Sequence, residues 1–251
     1  MIRRLALTLL ISTTFSIQIF AHDFWVDGYN SSIFKATLGY GHDFTPEKIA
    51  EDRVSIFEPL VLIDKDLKSV TLKNEGENYQ YISQKAFDDG TYILKSTYKP
   101  TFWTKTVDNK WHMKKTKKDV ENAQYCQLTS SFAKSIINIG NDTSDFITKP
   151  IGQNLEIVPL DNPANFKVGI PFKVKVLLNE KPAKMAAVKG TFKGFAKDSF
   201  AFYGTTDLKG EVEITALSSG KWVLITNIKQ VYEDQTCDEV SYTSTLTFII
   251  Q

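Results

Sequence analysis

Apolar and polar residues alternate with a period of two along most of the chain, a pattern typical of half-buried β-strands. The alternating segments are rich in β-branched and aromatic residues, and turn signals such as Asn74-Glu75-Gly76 and Asp88-Asp89-Gly90 separate them. In the first half of the chain we predict strands over 32–38, 60–64, 69–73, 78–83, 91–98 and 102–107. In the second half we predict strands over 155–160, 166–168, 172–178, 187–192, 199–203, 211–216, 221–226 and 241–249.

The stretch 116–139 departs from this alternation. Thr116 and Asp119 have the spacing of a capping box, which marks the start of a helix. The apolar residues that follow have a spacing closer to that of a helix than of a strand. They are Val120, Ala123, Leu128, Phe132, Ala133, Ile136 and Ile137. We therefore predict a helix over part of this stretch.

A polar stretch with glycine and proline at 138–153 divides the chain into two β-rich units. We predict a β-rich N-terminal domain over 22–153 and a second β-domain over 154–251. Short strands that recur every 8–12 residues or so, with turn residues between them, predict a mainly β fold with an antiparallel β-sandwich.

Residues 1–21 have the pattern of a secretory signal peptide. Arg3 and Arg4 give a positive start, an apolar stretch with interspersed polar residues follows, and Ala21 offers a small residue for cleavage. An uncleaved membrane anchor is the alternative, but a bilayer span needs roughly 20 predominantly apolar residues. We expect export through a cleaved signal peptide, which would leave His22 as the first residue.

The chain without this segment has almost no net charge, with 28 basic residues against 29 acidic ones. Because nothing in this balance attracts polyanions, we expect no nucleic-acid partner. Cys126 and Cys237 occur in a chain expected in an oxidising compartment, where a disulfide is plausible. Two separate thiols are the alternative, and sequence alone leaves both open.

The chain has three histidines, His22, His42 and His112. A free amine on His22, with a pKa of about 7.7–8.0, and the Nδ1 atom of the same residue would form a chelate ring around a metal ion. His42 and His112 would add imidazole ligands suited to Ni(II), Co(II), Cu(II) or Zn(II). Asp43 could orient an imidazole from beside the site, and Asp23 is a weaker candidate for that role. The alternative is that these are ordinary surface histidines.

Motifs for common enzyme chemistry are missing from the sequence: there is no G-x-S-x-G, no H-E-x-x-H and no phosphate-binding glycine loop. We therefore expect a metal-binding protein that is not an enzyme. Two alternatives stay open. One is a structural or adhesion β-sandwich module in which the histidines have no metal role, and the other is a copper oxidase with a histidine brace.

A set of short motifs, in a fixed order along nearly the whole chain, resembles the DUF4198 family of exported proteins. The motifs are A-H-D-F-W at 21–25, G-Y-G-H-D at 39–43, G-T-Y at 90–92, F-W-T-K-T at 102–106, S-F-A-K at 131–134, L-E-I-V-P-L-D-N-P at 155–163, T-D-x-x-G at 206–210 and G-K-W at 220–222. Members of this family include periplasmic accessory components of nickel and cobalt energy-coupling-factor uptake systems.

This resemblance implies a β-rich N-terminal part followed by an immunoglobulin- or transthyretin-like β-sandwich. It also implies a periplasmic protein that captures Ni(II) or Co(II) and assists its delivery to the membrane components of an uptake transporter. His22 and His42 occupy the family motifs and are the expected ligands. His112 lies in a region without a clear match and is expected to contribute a third imidazole.

Overall fold

The structure, a computed structural model, describes residues 22–141 and 143–251, so the predicted signal peptide lies outside the described residues. These residues are mainly β, as the sequence predicts. The strands are β1 (Asp23–Gly28), β2 (Lys35–His42), β3 (Thr45–Pro46), β4 (Val61–Ile63), β5 (Ser69–Thr71), β6 (Tyr81–Ile82), β7 (Gly90–Thr106), β8 (Trp111–Met113), β9 (Ala123–Ile139), β10 (Leu155–Pro159), β11 (Pro171–Leu178), β12 (Lys181–Pro182), β13 (Ala187–Phe192), β14 (Phe202–Thr205), β15 (Glu211–Thr215), β16 (Gly220–Val231) and β17 (Glu239–Ile250).

Short 3₁₀ helices account for the helical residues of the described chain. They span Glu51–Ile56, Glu77–Tyr79, Lys117–Asp119, Asp145–Thr148 and Pro163–Asn165. Within the ranges 22–141 and 143–251, no helix has the length and apolar character needed to cross a membrane.

The strands form three sheets. A small sheet has the order β1-β2-β3, with β6 also on β2, and a second has the order β10-β11-β12, with β15 also on β11. The third has nine strands in the order β14-β13-β16-β17-β9-β7-β4-β5, with β8 also on β7. Its neighbours are antiparallel except for β9 and β17, which are parallel. Both predicted domains contribute to this sheet, and their boundary at residue 153 stays a prediction.

The two smaller sheets each cover part of the large sheet with apolar side chains. Residues from β10, β11 and β15 pack against β16 and β17 in one cluster, and residues from β1 and β2 pack against β7 and β9 in another. Strand β1 lies across β17, since Thr245 and Thr247 donate hydroxyl hydrogen bonds to the carbonyls of Phe24 and Val26. Strand β1 is therefore held on the large sheet by hydrogen bonds at Phe24 and Val26 as well as by apolar packing.

The predicted helix within 116–139 is wrong for most of its length. Its first turn is the 3₁₀ helix Lys117–Asp119, where the capping box of Thr116 and Asp119 does form. From Ala123 onwards the chain is β9, whose middle is buried at eight successive residues, 130–137. A strand that is covered on both faces does not alternate between apolar and polar residues, which explains why its pattern resembled that of a helix.

Several strand predictions also differ from the structure in detail. Segments 91–98 and 102–107 join into the single strand β7, with a register shift between Tyr98 and Thr101. Residues 166–168 form no strand, because they follow directly on the 3₁₀ helix Pro163–Asn165. Strand β1, which the alternation did not predict, begins directly after His22.

Two side-chain connections link β9 to other parts of the fold, a disulfide to the start of β17 and an ion pair to β10. Cys126, in β9, and Cys237, just before β17, are joined in a buried disulfide with a Cα–Cα distance of 4.8 Å. Below the junction of β9 and β10, the Lys134 ammonium lies 2.7 Å from the Glu156 carboxylate, and both side chains are 1% exposed. Both connections involve β9, the strand against which β1 packs.

Candidate metal centre

The register of β1 and β2 brings two of the predicted ligands together. These strands are antiparallel, with Phe24 opposite Tyr40 and Asp23 opposite Gly41. One further step along the same register places His22 opposite His42. Their imidazole centroids are 4.3 Å apart, although the two residues are separated by nineteen others in sequence. The pairing of strands, which sequence spacing does not reveal, thus creates the candidate site.

A tight hairpin fixes His42 at the end of β2. His42 pairs with Thr45 in β3, and the two residues between them both have positive φ, 52° at Asp43 and 55° at Phe44. A two-residue loop with this backbone has the twist that joins antiparallel strands. Positive φ is unfavourable for a bulky residue such as phenylalanine, but the Phe44 ring is buried against the Trp25 indole at 5.2 Å.

The chain after this hairpin returns along β2 and adds a carboxylate. The amide of Glu47 donates a hydrogen bond of 2.8 Å to the carbonyl of Tyr40. Its own carbonyl accepts one of 2.8 Å from the Asn78 side chain. With its backbone fixed at both ends, Glu47 lies with Oε2 3.1 Å from Nε2 of His22.

Together these residues form a cluster with the character of a metal site. One donor atom each from His22, His42 and Glu47 can be chosen so that all lie within 4.8 Å of one another. The histidines are half-buried and Glu47 is exposed, so the cluster lies at the protein surface. Sequence reasoning missed Glu47, because one glutamate among 29 acidic residues carries no signal of its own.

The two predicted supporting carboxylates do not hydrogen-bond the histidines. Asp43 accepts a hydrogen bond of 2.9 Å from the amide of Asp198, in the loop between β13 and β14. Burial raises the pKa of the Asp23 carboxyl to about 6, while the charges of His42 and Lys189 lower it and the charge of Asp43 raises it. The hydrogen bond from Asp198 shows that the loop between β13 and β14, in the second predicted unit, contacts the hairpin at Asp43.

His112 lies apart from the cluster of His22, His42 and Glu47. It is the central residue of β8, opposite Thr104 of β7, and so belongs to the large sheet. The next residue, Met113, packs against the apolar cluster beneath β1 and β2. Because neighbouring residues of a strand point to opposite faces, the His112 side chain points away from the apolar cluster that Met113 contacts. The structure thus brings together two of the three predicted histidines and replaces the third by Glu47.

Comparison with known proteins identifies the family. A family model described as a domain of unknown function, DUF4198, matches residues 19–230. The chain belongs to the DUF4198 family. The matched range of this DUF4198 protein includes all three members of the cluster, and it extends into the second predicted β-rich unit as far as residue 230. No characterised protein sequence matches the chain.

Solved structures similar to this DUF4198 protein are remote. The D0-D1 domain of Intimin has 14% sequence identity and a TM-score of 0.22, over 90% of this chain and 97% of that one. The N-terminal four Ig domains of Dscam1 isoform 6.44 have 10% identity and a TM-score of 0.19, over 92% of this chain and 52% of that one. At these scores the similarities carry no argument about function.

Proposed function

We propose that this protein binds one divalent transition-metal ion, Ni(II) or Co(II), at the surface cluster of His22, His42 and Glu47. We further propose that it is a periplasmic protein that assists delivery of the ion to a membrane uptake transporter. The observation that supports binding is the convergence of two imidazoles and a carboxylate within 4.8 Å. The proposal of delivery depends on the resemblance to the nickel and cobalt uptake components.

The donor set suits a first-row divalent ion. Imidazole nitrogen is a preferred ligand for nickel, copper and zinc, and affinity generally rises from Co(II) through Ni(II) to Cu(II). Two ligand atoms that are each about 2.1 Å from an ion and subtend a right angle lie roughly 3 Å apart. The separation between Nε2 of His22 and Oε2 of Glu47 is 3.1 Å. These two atoms can therefore bind one ion with little movement.

Exposure of the site is consistent with delivery rather than permanent storage. The His22 side chain is 30% exposed and that of Glu47 is 51% exposed. Three protein donors leave coordination positions open to water or to ligands of a partner, so the ion can be passed on by ligand exchange. Acid would also weaken binding, because a protonated imidazole nitrogen cannot bind a metal.

The terminal chelate expected from the sequence is a different arrangement from direct binding by Glu47. An amine and Nδ1 of His22 hold the ion on the Cβ side of the imidazole ring, whereas Glu47 lies against Nε2 on the far side. With the ring in this orientation, an ion on Nδ1 lies on the side of the ring away from the Glu47 oxygen. The two arrangements therefore predict different results from variants and from N-terminal extensions.

Isothermal titration of the metal-free protein with NiCl₂ tests this proposal. We expect one Ni(II) per chain for a protein that begins at His22, and loss of that binding in His42→Ala. His112→Ala is the matched control and should bind as the unchanged protein does. Under direct ligation, Glu47→Ala weakens binding at least tenfold and an extension before His22 has little effect. If the terminal chelate holds the ion instead, Glu47→Ala has little effect and an extension before His22 weakens binding at least tenfold.

A result with no metal binding would contradict the proposal. A ligand that binds the native state must raise its thermal midpoint. If Ni(II), Co(II), Cu(II) and Zn(II) all leave the midpoint of the unchanged protein where it was, the histidines have no metal role. The structural or adhesion module would then be the better account of the chain.

A further inference from the structure

The imidazole of His22 lies on an aromatic ring. The Tyr40 ring is stacked on it, with the centroids 4.6 Å apart and the planes only 9° from parallel. Tyr40 is opposite Phe24 in the β1–β2 pair, and the residue is 9% exposed. Rotation of the imidazole out of this plane would break the stack, whereas a half-turn about its bond to Cβ would keep it. The Tyr40 ring therefore fixes the plane of the His22 ring, and the contact of Nε2 with Glu47 favours one of the two orientations within that plane.

The Tyr40 hydroxyl is in turn bound by a guanidinium group. Arg53, in the last turn of the 3₁₀ helix Glu51–Ile56, donates a hydrogen bond of 3.3 Å to the Tyr40 hydroxyl. The guanidinium also lies over the Trp103 ring, 5.4 Å from its centroid. The Trp103 indole donates a hydrogen bond of 2.7 Å to the Tyr98 hydroxyl. Each group in this series thus has a partner that restricts its movement.

Arginine is otherwise absent from residues 22–251, where lysine is used throughout. A guanidinium can hydrogen-bond in its plane while its face stacks on an aromatic ring, which a lysine ammonium cannot do. Here the one arginine does both, with Tyr40 as acceptor and Trp103 as the ring. The arrangement uses the property that distinguishes arginine from lysine.

We propose that Tyr40 is a positioning residue for the metal ligand His22, and that Arg53 acts on the site by fixing the Tyr40 hydroxyl. This inference rests on the proposed metal-binding function. Neither residue contacts the ion. Their effect is to hold the imidazole ready for binding, so that little rotational freedom is lost when the ion arrives. Groups that orient a metal-binding histidine commonly change metal affinity by about 10–100-fold.

Variants of both residues separate this role from a general effect on the fold. Tyr40→Leu removes the ring, and we expect Ni(II) affinity to fall about tenfold. Tyr40→Phe keeps the ring but removes the hydroxyl, and Arg53→Met removes its donor, so both should cause a smaller and equal loss. Tyr125→Phe is the control, since its hydroxyl bonds Gln127 and Glu239 on the large sheet. It should leave affinity unchanged.

A double-mutant cycle tests whether Arg53 acts through the Tyr40 hydroxyl. In the Tyr40→Phe background, Arg53→Met should cause no further loss of affinity. With tyrosine at 40, Arg53→Lys should lose less affinity than Arg53→Met, because the ammonium can still donate a hydrogen bond to the Tyr40 hydroxyl. The inference is overturned if Arg53→Met weakens binding as much with phenylalanine at 40 as with tyrosine. It is also overturned if Tyr40→Leu binds Ni(II) normally.

Proton NMR of the metal-free protein provides a readout that does not depend on the proposed function. Stacking on the Tyr40 ring should shift the His22 ring protons upfield, and Tyr40→Leu should abolish this shift. If the shift is present but no metal binds, the proposed function fails while the stack is confirmed. If metal binds but the shift is absent, metal binding stands and the positioning role of Tyr40 is wrong.

Discussion

Replacing Lys134 by methionine removes the cation of a buried ion pair between β9 and β10. The ammonium lies 2.7 Å from the Glu156 carboxylate, and both side chains are 1% exposed. The carboxylate also accepts hydrogen bonds from the amides of Ile151, Gly152 and Gln153. The segment that connects the two predicted domains is therefore anchored on this carboxylate, and loss of its counter-ion affects both halves of the chain.

The magnitude follows from the separation and the burial. Two unit charges 2.7 Å apart attract each other by about 6 kcal/mol at an effective dielectric constant of about 20. Desolvation of both ions offsets much of this attraction, yet loss of one partner leaves the other buried without compensation, at a cost of about 3–5 kcal/mol. Lys134→Met should lie near the lower end, because three amides still bond Glu156. Glu156→Gln should cost more, because it leaves a buried ammonium with only a neutral amide oxygen as acceptor and takes the carboxylate from the three backbone amides.

Urea unfolding followed by tryptophan fluorescence measures these costs. Lys175→Met is the matched control, because Lys175 and Glu211 form a pair of 3.9 Å whose side chains are 31% and 25% exposed. A pair open to solvent contributes about 1 kcal/mol or less. Equal losses in the free energy of unfolding for Lys134→Met and Lys175→Met would show that the buried pair contributes no more than the exposed one.

Three further predictions concern other parts of the fold. Gly39→Ala should destabilise the protein by about 1–3 kcal/mol, because its Cβ would lie 2.0 Å from an indole atom packed over β2; an unchanged thermal midpoint would show that the strand can move away. The Cys126→Ser/Cys237→Ser variant should lose about 4–5 kcal/mol in urea unfolding, since the disulfide closes a loop of 111 residues; a loss below about 1 kcal/mol would refute this. Burial raises the pKa of Asp238, but hydrogen bonds from an ammonium and the Cys126 amide lower it more, to below its usual 3.8. The resulting stabilisation is present above about pH 4 and is lost as the pH falls through the folded pKa, so Asp238→Asn should be less acid-sensitive between pH 5 and pH 2 in thermal scans; an equal acid sensitivity would contradict this.

Alternation of apolar and polar residues predicted the mainly β fold, because most strands have one covered and one open face. It failed where both faces are covered. In β9 the central residues are buried on both sides, and the pattern resembled that of a helix. In β1, Phe24 and Trp25 are successive residues that pack into different apolar clusters, so the strand had no polar face to reveal it.

Two of the three residues of the candidate site could be predicted from the sequence, and the third could not. His22 and His42 stood out because histidine is rare in this chain and both lie in family motifs. Glu47 did not, because its role depends on the hairpin at Asp43 and Phe44, which returns the chain beside β2. Sequence spacing does not reveal which acidic residue lies opposite a histidine. Only the register of three strands brings these donors together.

The measurement that tests the metal site most directly is anomalous diffraction at the nickel absorption edge from crystals of the Ni(II)-bound protein. We predict one strong peak within bonding distance of both His22 and His42, with a Glu47 carboxylate oxygen as the third protein ligand. The same crystals grown from His42→Ala should lack it. A peak only at His112 or at scattered surface carboxylates, or no peak at all, would contradict the account.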